Sequence, residues 1–180
     1  MAITNGATLA TAVETWLTRK DLTTLIPDFV ILAESKIFRV LRTPEMETKD
    51  AAFSITGEYV ALPTGFLEVR SFMTNSTPRT PIEFMPDDTQ VTSYKTTNSK
   101  PLFFNIVGSN FRFAPPPSST VTATLVYYVA PSTVSTGSTE TNWILTAHPD
   151  LYLAATLAEG FARAQDWENA RSWGAAADGI

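Results

Sequence analysis

Two periods of apolar residues divide the chain. In the first forty positions, apolar side chains recur every three to four residues. Leu9, Val13, Trp16 and Leu17 fall at i, i+4, i+7 and i+8, which predicts one buried helical face with Trp16 in the core. Thr8 is a suitable N-cap, and Thr11 with Glu14 could form a capping box instead. Arg19 and Lys20 fall near the C-terminal end, where the helix dipole favours cations. A second helix is predicted from Pro27, since proline suits a first turn whose N–H needs no partner. Its stripe is Ile26, Val30, Ala33, Ile37 and Leu41, widened by Phe29 and Val40. Arg39 and Arg42 cluster at its far end, and Thr43-Pro44 stops it.

The period shortens near residue 52. Phe53 and Ile55 alternate with polar residues, and short apolar runs follow at 59–62, 66–73, 82–85, 102–107 and 111–113. Gly108-Ser109-Asn110 is a hairpin signal. Val121 to Val129, rich in β-branched and aromatic residues, is the strongest strand. One or two helical turns are predicted over 87–94 and a polar loop over 95–100. A Ser/Thr-rich connection, Pro131 to Thr141, precedes a return of the helical period. There Leu151, Ala154, Ala155, Ala158, Phe161 and Ala162 form an alanine-rich face, and helix continues from Asp166 to Ala177 after a break at Gln165-Asp166.

The predicted class is α+β. N- and C-terminal helices, 1–50 and 140–180, form a helical base, because neither set alone can bury its stripe. Residues 51–139 form an inserted small antiparallel β-sandwich or barrel.

Composition then narrows the function. Of 180 residues, 17% are charged, below the usual quarter, and the net charge is −5. That balance lacks the basic footprint needed to grip a nucleic-acid backbone. There is no Cys and one His, which argues against thiol chemistry, zinc sites and catalytic triads. Neither catalytic, cofactor nor metal residues are expected. His148-Pro149-Asp150 reads as a helix start with His148 as cap near solvent, and Asp87-Asp88 as an ordinary first turn rather than a cation site. Glu45 and Glu47 are placed to pair with Arg39 or Arg42. The N-terminus carries no signal-peptide pattern. The charge-free run Phe113 to Thr139 holds four prolines, so it cannot be a spanning helix, and a soluble protein made in a cytoplasm is expected. Trp143 is expected to pack the insert onto the base. Trp167 and Trp173 are six apart and so not on one face; either one of them is exposed and suits an interface anchor, or both are buried against the other helices.

Four stretches carry more specific information. They are Asp21-Leu-Thr-Thr-Leu-Ile-Pro-Asp-Phe-Val30 running into Leu32-Ala-Glu34 and Ile37-Phe-Arg-Val-Leu-Arg42; Ala61-Leu-Pro-Thr-Gly-Phe-Leu-Glu-Val-Arg70; Phe104-Asn-Ile-Val-Gly108 with Phe111-Arg-Phe-Ala-Pro115; and Asn142-Trp-Ile-Leu145 with His148-Pro-Asp-Leu-Tyr-Leu153. In this order and spacing they resemble the head-to-tail adaptor (connector) proteins of tailed bacteriophages. The resemblance implies a non-enzymatic virion protein assembled in the host cytoplasm, forming a ring of usually twelve copies under the portal protein. The ring passes the axis to a downstream tail or nozzle protein, and DNA travels through its lumen without specific binding. In such proteins an extended C-terminal arm commonly reaches the portal, whereas only a short tail follows Trp173 here, a departure from that pattern.

On this reading the helical base carries the ring and portal contacts, with Arg39, Arg42, Trp143, Trp167 and Trp173 as interface residues. The charge-free strand, the Pro131 to Thr141 connection and the last helices are expected to be covered by partners. A rival reading is a carbohydrate- or protein-binding β-module, prompted by Phe103, Phe104, Phe111, Phe113, Tyr127 and Tyr128.

Overall fold

The computed structural model describes residues 2–87, 94 and 100–180. The helical turns expected over 87–94 and the loop over 95–100 fall largely on residues outside this set, as does Asp88. The chain is α+β and forms two compact units, 1–41 with 131–180, and 42–130.

The first unit is helical. Helix α1 spans Gly6–Leu17 and is capped by Asn5, whose Oδ1 accepts from Thr8 N–H at 3.0 Å. Thr8 Oγ1 accepts in return from Asn5 N–H, also at 3.0 Å. Thr8 is therefore the third helical residue and not the cap. Two further first-turn donors are satisfied from outside the helix: Gly6 N–H reaches Glu140 O at 2.9 Å and Ala7 N–H reaches Ser138 O at 3.1 Å. That close approach requires glycine, because a Cβ on Gly6 would lie 1.9 Å from the Ser135 carbonyl oxygen. A 3₁₀ segment, Lys20–Leu25, leads into α2, Ile26–Val40, with Pro27 in its first turn. Helices α3 (Trp143–Ala147), α4 (Pro149–Arg163) and α5 (Trp167–Asp178) complete the unit. Leu9, Val13, Leu17, Val30, Ile144, Leu145 and Leu157 form its core.

Two apolar positions leave the predicted core. Val40, at the last turn of α2, is 82% exposed, and Trp16 is 55% exposed. Trp16 lies in the last turn of α1, where its ring neighbour is Trp173 of α5, a helix with no fully buried residue, so the indole stays largely exposed.

Among its described residues the second unit holds seven strands: β1 (Glu47–Ile55), β2 (Tyr59–Ala61), β3 (Phe66–Thr74), β4 (Glu83–Phe84), β5 (Phe103–Val107), β6 (Asn110–Ala114) and β7 (Val121–Val129). One sheet has the order β1-β7-β3, and the other β2-β6-β5-β4. Both contribute side chains to one core, at whose centre Phe72 meets Phe53, Phe104, Phe111 and Phe113 at ring separations of 5.5–5.6 Å. Such aromatic pairs add roughly 0.5–1.5 kcal/mol each beyond burial. Strand β1 starts five residues before its predicted start. Glu47–Asp50 pair with Leu125–Tyr128 but bury no alternating apolar side chain, so they carry no period-two signal. The expected all-antiparallel arrangement also fails at one edge, where β4 pairs with β5 in parallel. The long connection 85–102 permits this, since parallel neighbours need a crossover and not a tight turn.

Candidate functional site

A buried carboxylate lies at the centre of the helical unit. Glu34 follows Val30 by one turn inside the apolar arc of α2 and is 2% exposed. Its Oε1 accepts from Val134 N–H at 2.7 Å and from the Tyr152 hydroxyl at 2.9 Å. Asn142 Nδ2 donates to the same hydroxyl oxygen at 2.6 Å and to Ser132 O at 2.8 Å, while Asn142 Oδ1 caps α3 by accepting from Leu145 N–H at 2.9 Å. Burial pushes the Glu34 carboxyl above its ordinary pKa, opposed by the Val134 and Tyr152 hydrogen bonds. The Tyr152 hydroxyl is likewise pushed up, chiefly by burial. With one carboxylate and neutral donors, the arrangement clasps the connection 131–142 to α2 and α4. The sequence signal for it is a glutamate four residues after Val30, on the apolar stripe of α2.

The outer surface of the helical unit carries the features suited to partners. On α2, Ile31 and Leu32 are 57% and 49% exposed. Beside them α2, α4 and α5 enclose a groove of about 500 Å³, lined by Ile37, Val40, Leu151, Ala155, Ala158 and Ile180 among others. The Lys36–Glu159 ion pair stands on the groove, and Asp178 is also on its wall.

The predicted interface residues are distributed and not gathered. Arg39 is exposed on the last turn of α2. Arg42 begins the second unit, where its Nε lies 3.4 Å from Glu68 Oε2. Glu47 pairs with Arg70 and not with Arg39 or Arg42, because β1 and β3 both flank β7. Trp143 is half-buried against the helical core. Trp173 is half-buried and meets Trp16 edge-to-face at 5.5 Å, and Trp167 is 60% exposed. His148 occupies the N-cap position of α4, but its side chain is exposed and makes no capping bond.

Other expected features resolve inward. Phe104, Phe111, Phe113 and Tyr127 are buried in the β core, with Phe103 and Tyr128 half-buried, so these rings form no exposed platform for a sugar. The charge-free strand β7 is central in its sheet, with Ala123, Leu125 and Tyr127 in the core. Its lack of charge follows from packing within the chain. Among the described residues, no three His, Cys, Asp or Glu side chains come together to hold a metal, and no helix is long and apolar enough to cross a membrane.

Two of the four stretches that resemble phage adaptors meet at the clasp: Glu34 belongs to the first, and Asn142 and Tyr152 to the fourth. A comparison with curated proteins gives no match. The family model described as SU10 adaptor protein matches residues 4–180, which takes in both units and all four stretches. With so nearly complete a match, the chain belongs to the SU10 adaptor protein family, bacteriophage adaptor proteins that are structural components of the virion.

Proposed function

We propose that this protein is a ring-forming subunit that joins the portal to the tail and surrounds the DNA passage. The observation that carries this reading is the exposure of large apolar side chains on the helical unit of an adaptor-family chain. Trp16, Ile31, Leu32, Val40 and Trp167 all face solvent in the isolated subunit. Surfaces of this kind mark protein partners, and subunit interfaces bury them at their centres. The partners are further copies of this chain, the portal protein and a downstream tail protein. The net charge of −5 suits a passage through which DNA moves without being held, since retention needs clustered cations. The role is structural and non-enzymatic.

Native mass spectrometry and negative-stain microscopy of the purified chain, alone and mixed with portal complexes, test this. A closed ring, near twelve copies, that forms on or binds to the portal is the expected result. A chain that stays monomeric with and without portal contradicts the reading.

A further inference from the structure

We propose that the outer ridge of α2 in one copy docks into the groove between α2, α4 and α5 of the next copy, with Arg39 of the first facing Asp178 of the second. The inference rests on the ring reading above and names the contact that builds it.

The ridge is bipolar. At 100° per residue, Asp28, Ile31, Leu32, Ser35 and Arg39 fall within one arc about 100° wide, and all are exposed. The apolar pair Ile31–Leu32 thus lies between an acid toward the start of the helix and a base near its end. Asp28 and Arg39 are eleven residues apart, or about 16 Å along the axis.

The groove is acidic at one end and holds an internally neutralised ion pair at the other. Lys36 meets Glu159 at one end. Helix α5 runs back along α4 after the reversal at Ala164–Asp166, where Gln165 adopts φ 62°. This brings Asp178 beside the start of α4, near Leu151, at the other end of the groove. Leu151 and Glu159 are eight residues apart, or about 12 Å along the helix. Between them the lining is apolar or small: Ile37, Val40, Ala155, Ala158 and Gly174.

Ridge and groove therefore complement each other in chemistry and order. Ile31 and Leu32 lie on the apolar floor, Arg39 faces Asp178, and Asp28 falls toward the Lys36–Glu159 pair, so the charge complementarity rests on Arg39 and Asp178. The flexible length of arginine spans the few ångströms between the two separations. Arg39 and Asp178 make no ion pair within the chain among the described residues, so both are available. Docking a helix ridge into a helix-lined groove is a common recognition mode. Ridge and groove wall are different sides of the same α2, so the contact is head-to-tail. It repeats from copy to copy and closes when the rotation permits.

Charge reversal tests the contact. Arg39→Asp and Asp178→Arg should each raise the subunit concentration at half-assembly by tenfold or more, measured by analytical ultracentrifugation. The double variant should return to within about threefold of wild type. Leu32→Glu should block assembly. Unchanged thermal melts of the dissociated subunits would establish that these exposed substitutions leave the fold intact. A double variant that assembles no better than either single one overturns the contact. So do single variants that assemble as wild type, or rings that persist but no longer bind portal, which would make the portal the occupant of the groove. Those results leave the ring reading standing, whereas a wild-type chain that never oligomerises, with or without portal, overturns both.

Discussion

The hydroxyl of Tyr152 on α4 donates to the carboxylate of Glu34 on α2 at 2.9 Å, in the interior of the helical unit. The same oxygen of Glu34 holds the backbone of Val134 at 2.7 Å. One acceptor thus ties two helices to the connection that follows the last β-strand. Removing it strands two buried donors, and each unsatisfied buried polar group costs about 1–3 kcal/mol. Glu34→Ala should lower stability by about 2–5 kcal/mol, read from urea unfolding. Glu34→Gln, which keeps an acceptor oxygen, should cost distinctly less. Equal losses for the two variants would show that side-chain volume, and not the acceptor, matters there.

The same carboxyl gives the fold a pH dependence of predictable sign. Burial is the largest influence on it and raises its pKa, with the Val134 and Tyr152 hydrogen bonds opposing. A carboxyl whose folded pKa lies above its unfolded one binds its proton more tightly when folded. Its contribution is fully present below the ordinary value of 4.5 and is lost as pH rises through the raised value. The stability of wild type relative to Glu34→Gln should therefore fall as pH is raised from 4 toward neutrality. A relative stability that rises over that range would mean that hydrogen bonding, and not desolvation, dominates.

Phe72 is the hub of the second core, within 5.6 Å, ring to ring, of four other phenylalanines. Phe72→Ala should cost about 3–5 kcal/mol, the range for deleting a buried aromatic. Phe72→Leu should recover much of that. Chemical denaturation followed by far-ultraviolet circular dichroism would measure both.

Two glycines in helices should respond in opposite directions. A Cβ on Gly6 would meet the Ser135 carbonyl oxygen at 1.9 Å, so Gly6→Ala must part α1 from the connection 131–142. It should destabilise the unit by about 1–3 kcal/mol, as overpacking does, and speed amide exchange at Ala7, which bonds Ser138 O. A Cβ on Gly174 meets nothing within 4 Å in the middle of α5. Gly174→Ala should stabilise the subunit by up to about 1 kcal/mol through helix propensity. Thermal melts of the two variants moving in the same direction would contradict this account.

Much of the architecture is legible in local pattern. The Pro27 and Pro149 starts, the reversal at Gln165–Asp166 and the hairpin at Gly108–Asn110 are chain-local events, set by φ restriction, by capping and by glycine at positive φ. The alternation of Val121 to Val129 likewise marks the central strand, and the four ordered stretches point to the family that the whole chain matches. Local pattern does not choose the cap of α1, because Asn5 and Thr8 are both good caps; Asn5 takes the position where the carbonyls of Glu140 and Ser138 meet the first turn.

The sequence by itself determined the α+β class, the order of elements and the adaptor family, because period, turn chemistry and motif order are properties of neighbouring residues. Tertiary structure alone decided that Glu34 is buried, that Trp16 and Val40 are exposed, that β4 runs parallel to β5, and that Arg39 and Arg42 fall in different units. Each of these depends on what a distant segment covers. A helix period says which residues share a face, but only the packed partner decides whether that face meets a core, a clasp or open water. The low charge shows the same division. In β7 it reflects a strand buried between its neighbours, while α2, with four charged residues in fifteen, still leaves Ile31 and Leu32 exposed because no described segment packs on that side.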